Sequence, residues 1–201
     1  MKINYDQKMQ EMMRELTKGT RLLLHSCCAP CSTACLERLK EHFAVTVFYY
    51  NPNIDDREEY EKRKAEQIKL LEATGWAAFL DCDHEVEAFY AMAQGLENEP
   101  ERGARCYQCY ALRLNKTAWA AKEYGFEAFA TTLTLSPLKN AEWLNGIGAA
   151  AQEKTGVRYL YSDFKKQGGY LRSIELSKQF DLYRQNYCGC SFSKKGRAGT
   201  E

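Results

Sequence analysis

Short runs of apolar and β-branched residues alternate along the chain with longer stretches whose apolar positions recur every three or four residues. Residues 21–25 (RLLLH) and 44–50 (AVTVFYY) read as buried strands. Residues 76–80, 127–133 and 157–161 carry weaker versions of the same signal. Between them the helix punctuation is clear. Asp56 and Glu59 resemble a capping box, opening a helix that runs to about residue 73 and stops at Gly75. Tyr110, Leu114, Ala118 and Ala121 share one face of a helix ended by Gly125. Asn140 is placed to cap a helix bearing Trp143, Leu144, Ile147 and Ala151, with Gly156 as its stop. Leu176, Phe180, Tyr183 and Tyr187 repeat at helical spacing near the end. Strands alternating with helices in this way predict an α/β fold, a parallel sheet with helices on both faces.

Length sets the scale of that fold. The chain has 201 residues, enough for one sizeable core and short for two. The expected organisation is a polar helical extension over residues 1–20, one domain over 21–190 and a basic tail over 191–201. No apolar run approaches the ~20 residues of a membrane span. The first residues are polar and lack an apolar h-region, so the expected location is the cytoplasm. A net charge of +1 announces no nucleic-acid partner at the level of the whole chain. Local basic groups exist: Arg102, Arg105, Arg113 and Lys116 flank one cysteine pair, and Lys165 and Lys166 share a glycine-containing loop. Lys194, Lys195 and Arg197 lie in the tail.

Nine cysteines change the picture. An odd number without a secretory signal argues against a disulfide framework and for metal binding or redox chemistry. Seven fall in three groups: Cys27, Cys28 and Cys31 after the first strand; Cys106 and Cys109 at the start of a helix; Cys188 and Cys190 around Gly189. In an open parallel sheet, loops at the carboxyl ends of the strands line the ligand crevice. A helix start favours thiolate, and a glycine turn lets backbone bend around an ion. Such a set suits a [4Fe–4S] cluster with thiolates to spare, a structural zinc or a dithiol site. Cys35 and Cys82 read as small buried hydrophobes, and His25, His42 and His84 as packing residues.

The motifs in order are LLLHSCCAPC, FYYNPNI with Glu58, Glu59 and Tyr60 following, RCYQCYALRL, ATTLTLSPLKN, SDFKKQGG and LYRQNYCGCSFS. This ordered set, spanning about residues 22–192, resembles the cobalamin-independent epoxyqueuosine reductases, the QueH family. The resemblance implies a Rossmann-like fold related to PP-loop proteins, a [4Fe–4S] cluster and an adjacent mononuclear iron or other divalent metal. All seven grouped cysteines are expected as metal ligands. Cys27, Cys31 and Cys190 are expected at the catalytic centre, and Cys28, Cys106, Cys109 and Cys188 on the cofactor. Some family members carry Asp where this chain has Cys31, and thiolate makes that second site softer.

The activity implied is reduction of the epoxide of epoxyqueuosine in tRNA to the alkene of queuosine, the last step of queuosine biosynthesis. Two electrons and two protons are consumed, and an electron donor is required that no motif identifies. A neighbouring iron would polarise the epoxide oxygen while the cluster relays electrons. The substrate implied is tRNA carrying the modified base at the first anticodon position. Tyr49, Tyr50, Tyr107 and Tyr110 are candidate stacking residues, and Arg113, Lys139, Lys165 and Lys166 candidate phosphate or substrate contacts. Three rivals remain on residues alone. A PP-loop ATPase lacks its glycine nest, because SCCAPC stands where that loop belongs. A thiol–disulfide oxidoreductase would use only Cys106 and Cys109, and a zinc-stabilised tRNA- or protein-binding module would be the non-enzymatic case.

Overall fold

The computed structural model describes residues 3–198. Five strands form one parallel sheet: β1 (Thr20–His25), β2 (Phe43–Phe48), β3 (Ala78–Leu80), β4 (Ala128–Thr131) and β5 (Arg158–Tyr159), in the order β3-β2-β1-β4-β5. Eight helices surround it. They are α1 (Tyr5–Glu15), α2 (Ala29–Leu39), α3 (Arg57–Thr74), α4 (Val86–Ala93), α5 (Ala104–Glu123), α6 (Ala141–Thr155), α7 (Gly169–Gln179) and α8 (Ser191–Ala198).

Strand period explains the two-sided core. Leu22 and Leu24 of β1 face a layer containing Met9 of α1, Leu36 of α2, Leu70 of α3 and Leu176 of α7. Leu23 points the other way, toward Leu114 of α5 and Leu144 of α6. Both faces of β1 are therefore dry, which is why its sequence is a continuous apolar run rather than an alternation. Among the described residues no helix is long and apolar enough to cross a membrane.

The chain leaves β1 toward β2 on one side and returns to β4 on the other. The crevice at this switch point is bounded by the loops after β1 and β4. Several predicted elements are shorter than their sequence signals. Trp76 precedes β3 and packs edge-on against Phe180, with ring centroids 5.9 Å apart. β4 ends at Thr131, whose side chain accepts from Leu133 N and turns the chain into a 3-10 turn, Thr132–Leu135. β5 keeps two residues, and Tyr159 N donates to Gln152 Oε1. The helix expected to reach Tyr187 stops at Gln179, beyond which Asp181 adopts φ +47°. Tyr183 and Tyr187 therefore lie in an irregular segment leading to the last cysteines. In the basic tail Lys194 pairs with Asp56 at 3.8 Å; the side chains of Lys195 and Arg197, and residues 199–201, lie outside the described ones.

Candidate metal centre

His25 closes β1 and is fully buried, its ring nitrogens 3.0 Å from Thr131 Oγ1 and 3.0 Å from Tyr50 O. Both nitrogens are thus occupied in tying together the ends of three strands. Burial, with Arg113 adding to it, lowers the His25 pKa to about 3, so the ring is neutral and structural. Beneath the following loop, Ser26 and Ser32 hydroxyls lie 2.5 Å apart and both reach Gln67 Oε1, at 2.8 and 2.7 Å. Asn51 Nδ2 donates to Ser26 O at 2.7 Å. Cys28 is the N-cap of α2 and Pro30 sits in its first turn, as its fixed φ favours.

This scaffold gathers Cys27, Cys28 and Cys31, whose Sγ atoms all lie within 4.8 Å of one another. Hydrogen bonds from Cys28 and Cys31 hold the Cys27 thiol well below its ordinary pKa. The converse interaction pushes Cys28 up to about 12 and raises Cys31.

The other four thiols form a looser second group, from α5 and the segment after α7, and no three of them come within the trio's 4.8 Å of one another. Cys106 and Cys109 occupy the first turns of α5, and Cys106 Sγ accepts from Arg102 N at 3.2 Å. Cys109 packs with Cys190 and Phe89 in a small apolar cluster. Burial pushes Cys109 up to about 12 and raises Cys106 and Cys190; the charge of Cys188 raises all three further. Around Cys188 and Cys190 the backbone is tightly held. Buried Arg63 donates from Nε to Glu59 at 2.7 Å and from Nη1 to Cys188 O at 3.1 Å. The Asp55 carboxylate accepts from Ser191 N, and Gly189 takes φ +122°. A Cβ at Gly189 would stand 2.9 Å from Ile54 Cγ1 and 3.1 Å from Arg63 Nη1, so this turn demands glycine.

A cavity of about 160 Å³ opens between the two sets, with Cys27, Cys31, Cys106 and Cys188 in its wall and Tyr110 and Arg113 beside them. Arg113 is 1% exposed and forms no ion pair among the described residues. Its Nε donates to Cys109 O at 3.3 Å, and its buried Nη2 has no partner. Burial opposes this charge, but Cys109, Cys188 and Cys27 outweigh it and hold the guanidinium pKa above its usual range. Lys139, on the loop after β4, is raised by Cys188 and Cys27 against the same penalty. A buried guanidinium without a carboxylate is costly unless neighbouring groups are anionic. The groups that favour its charge here are the Cys109, Cys188 and Cys27 thiols.

Four of the seven grouped cysteines, Cys27, Cys31, Cys106 and Cys188, line one cleft, and the other three are buried. Cys28 joins Cys27 and Cys31, while Cys190 lies with Cys109. Tyr49 and Tyr50 are buried, Tyr50 OH donating to Glu85 at 2.7 Å, and neither is available for stacking on a base. Tyr107 is exposed but edge-on to Trp143, away from the cavity wall. Lys165 pairs with Asp163 at 2.9 Å and donates to Thr134 O, buttressing the wall from behind, and Lys166 is outside the lining. Cys35 lies in the core, and Cys82 Sγ is 3.4 Å from Tyr49 O. His42 and His84 bond the carbonyls of Leu16 and Ile54. Sequence reasoning missed Arg63, Asp55, Arg184 and Tyr170. Only Arg63 left a signal, the (i, i+4) spacing from Glu59 on a helix.

Fold and site together define a doubly wound α/β protein whose strand-end crevice presents a trio of thiols, Cys27, Cys28 and Cys31, that could hold a metal ion, with Cys106 and Cys188 lining the same cleft. Residues 22–196 match the family described as Epoxyqueuosine reductase QueH. The protein of that name from Streptococcus pyogenes serotype M1 is 42% identical, over 96% of this chain and 79% of its own length. Those from Staphylococcus epidermidis and Acinetobacter baylyi are 40% and 41% identical, over 96% and 86% of this chain and 85% and 80% of their own lengths. The chain belongs to the epoxyqueuosine reductase QueH family and is an oxidoreductase.

Proposed function

We propose that this chain reduces the epoxide of epoxyqueuosine in tRNA to the alkene of queuosine, in the cytoplasm, with electrons from a separate donor. The names of its relatives support the reaction. The observation that supports the cofactor assignment is the Cys27, Cys28 and Cys31 trio at a cleft also lined by Cys106 and Cys188, beside a buried Arg113 that pairs with no carboxylate among the described residues. Cys106, Cys109, Cys188 and Cys190 match the four thiolates a [4Fe–4S] cluster takes. Cys27, Cys28 and Cys31 suit a single iron or similar divalent ion with an open position, and Arg113 supplies countercharge to both. The donor set therefore fits these groups.

When bound, they supply single electrons and a Lewis acid, which is the chemistry that opening an epoxide and expelling its oxygen requires. The overall change breaks two C–O bonds, forms one C=C bond and consumes two electrons and two protons, releasing water. The chain's residues do the rest. Cys27 and Cys31 form the cavity floor where the reacting ring must lie, and Tyr110 provides a flat wall beside it. A cavity of about 160 Å³ has room for one small ring and little water. The nucleotide must therefore leave the anticodon stack to place its modified ring there.

The test is an anaerobic reaction of iron- and sulfide-reconstituted protein with dithionite and tRNA bearing epoxyqueuosine, followed by nucleoside digestion and mass spectrometry. Conversion to queuosine is expected. An iron-loaded protein that leaves the epoxide untouched contradicts the proposal, and a chain holding one zinc and no sulfide points instead to a zinc-stabilised binding module.

A further inference from the structure

The charge of the cleft differs from that of the whole molecule. Four cations line it, Arg102, Arg113, Lys139 and Arg184, against one carboxylate, Glu101, in a chain whose net charge is +1. Elsewhere Arg38, Arg57, Lys64, Lys116 and Arg172 are matched to carboxylates at 2.6 to 2.9 Å. Among the described residues none of the four cleft cations is so matched. Arg113 faces the thiols from within and Lys139 faces them from the wall, while Arg102, Arg184 and Lys139 all lack a carboxylate partner among the described residues.

They stand on three different walls. Arg102 precedes α5, Lys139 follows the 3-10 turn, and Arg184 follows α7. Arg184 is exposed yet oriented, because Nη1 donates to Ser177 Oγ at 3.0 Å and leaves its other donors free. The same mouth exposes two large apolar surfaces, Tyr170 at 37% and Leu138 at 43%. Positive charge around a flat aromatic ring, encircling a cavity that admits only one ring, is the pattern that holds single-stranded nucleic acid.

We propose that the mouth of the cleft is a cradle for single-stranded RNA, in which Arg102, Lys139 and Arg184 contact phosphates flanking the nucleotide that enters and Tyr170 stacks a neighbouring base. This rests on the reductase reading for the identity of the RNA, an anticodon loop, but not for the chemistry of the contacts. Sequence is not read by the cradle; it grips backbone and one base face, and the cavity selects the nucleotide.

The probe is an unmodified anticodon stem-loop with guanosine at its first anticodon position, titrated with reconstituted full-length protein between about 50 and 200 mM salt. Arg102→Gln and Arg184→Gln should each reduce the slope of log affinity against log salt by about 0.7. Arg158→Gln removes the same charge from the opposite end of the sheet and should leave the slope unchanged. Tyr170→Ala should weaken binding about tenfold with an unchanged slope. Iron content measured on each variant confirms that the site is intact. Slopes in both cleft variants equal to that of Arg158→Gln overturn the cradle, as does equal competition by duplex RNA or a response to polyglutamate but not to RNA. Epoxide reduction in tRNA with unaltered slopes would sink the cradle and spare the reductase. The predicted slopes with no reduction would do the reverse.

Discussion

At the residue scale, two positions decide whether the thiols are held. Gly189 combines a positive φ with neighbours that leave no space for a methyl group. Gly189→Ala is expected to destabilise the fold by only about 1–3 kcal/mol, since the strain is local. Its bound iron, measured after anaerobic reconstitution and desalting, should fall by more than half; full iron would show that the turn tolerates a side chain. Arg113 presents the complementary case. Replacing it with Met leaves two sets of thiolates without their shared countercharge, so iron retention should drop, and Arg113→Lys should recover part of it. Retention in Arg113→Met equal to the parent would remove the electrostatic argument. The cysteines were legible in the sequence because thiol chemistry is carried by residue type and spacing. Arg184 and Tyr170 were not. Arg184 reaches the cleft because the chain leaves the helix after Gln179, whereas the periodicity of Leu176, Phe180, Tyr183 and Tyr187 points to a continued helix; Tyr170, in the first turn of α7, is placed by where that helix packs.

At the scale of elements, helix ends place the walls of the site. α6 starts at Asn140, whose Oδ1 accepts from Glu142 N and Trp143 N at 2.9 and 3.1 Å, directly after the Leu135–Lys139 wall. Asn140→Ala should cost about 1 kcal/mol in urea unfolding while iron content stays unchanged. In α3 the half-buried Glu59 pairs with the buried Arg63, with Tyr183 OH adding a contact to Glu59 at 3.3 Å. Glu59→Gln leaves the guanidinium uncompensated and should cost about 3–5 kcal/mol, visible as a lower urea midpoint at unchanged slope. A loss below about 1 kcal/mol would mean that Arg63 is solvated by other groups. The caps at Asp56 and Asn140 and the stops at Gly75 and Gly156 were readable because each is a local backbone event. Strand lengths were not, since they depend on competing partners such as Thr131 and Gln152 that periodicity does not see.

At the scale of the molecule, the strand order explains how distant cysteines meet. β1 lies at the centre of the sheet with β2 and β4 on either side, so the loops after β1 and β4 face each other across one crevice. α5 brings Cys106 to that crevice and the segment after α7 brings Cys188, while Cys109 and Cys190 pack together with Phe89. The α/β class followed from alternating patterns, while which cysteines line the cleft required the tertiary fold. The most direct test of the proposed grouping into four and three is the iron and acid-labile sulfide content of the reconstituted chain beside its Cys27→Ser/Cys28→Ser/Cys31→Ser variant. The parent should hold about five irons and four sulfides, and the variant should lose about one iron and keep its sulfide. Loss of sulfide from the variant, or zinc without sulfide in the parent, would contradict two separate metal-holding sets in one cleft.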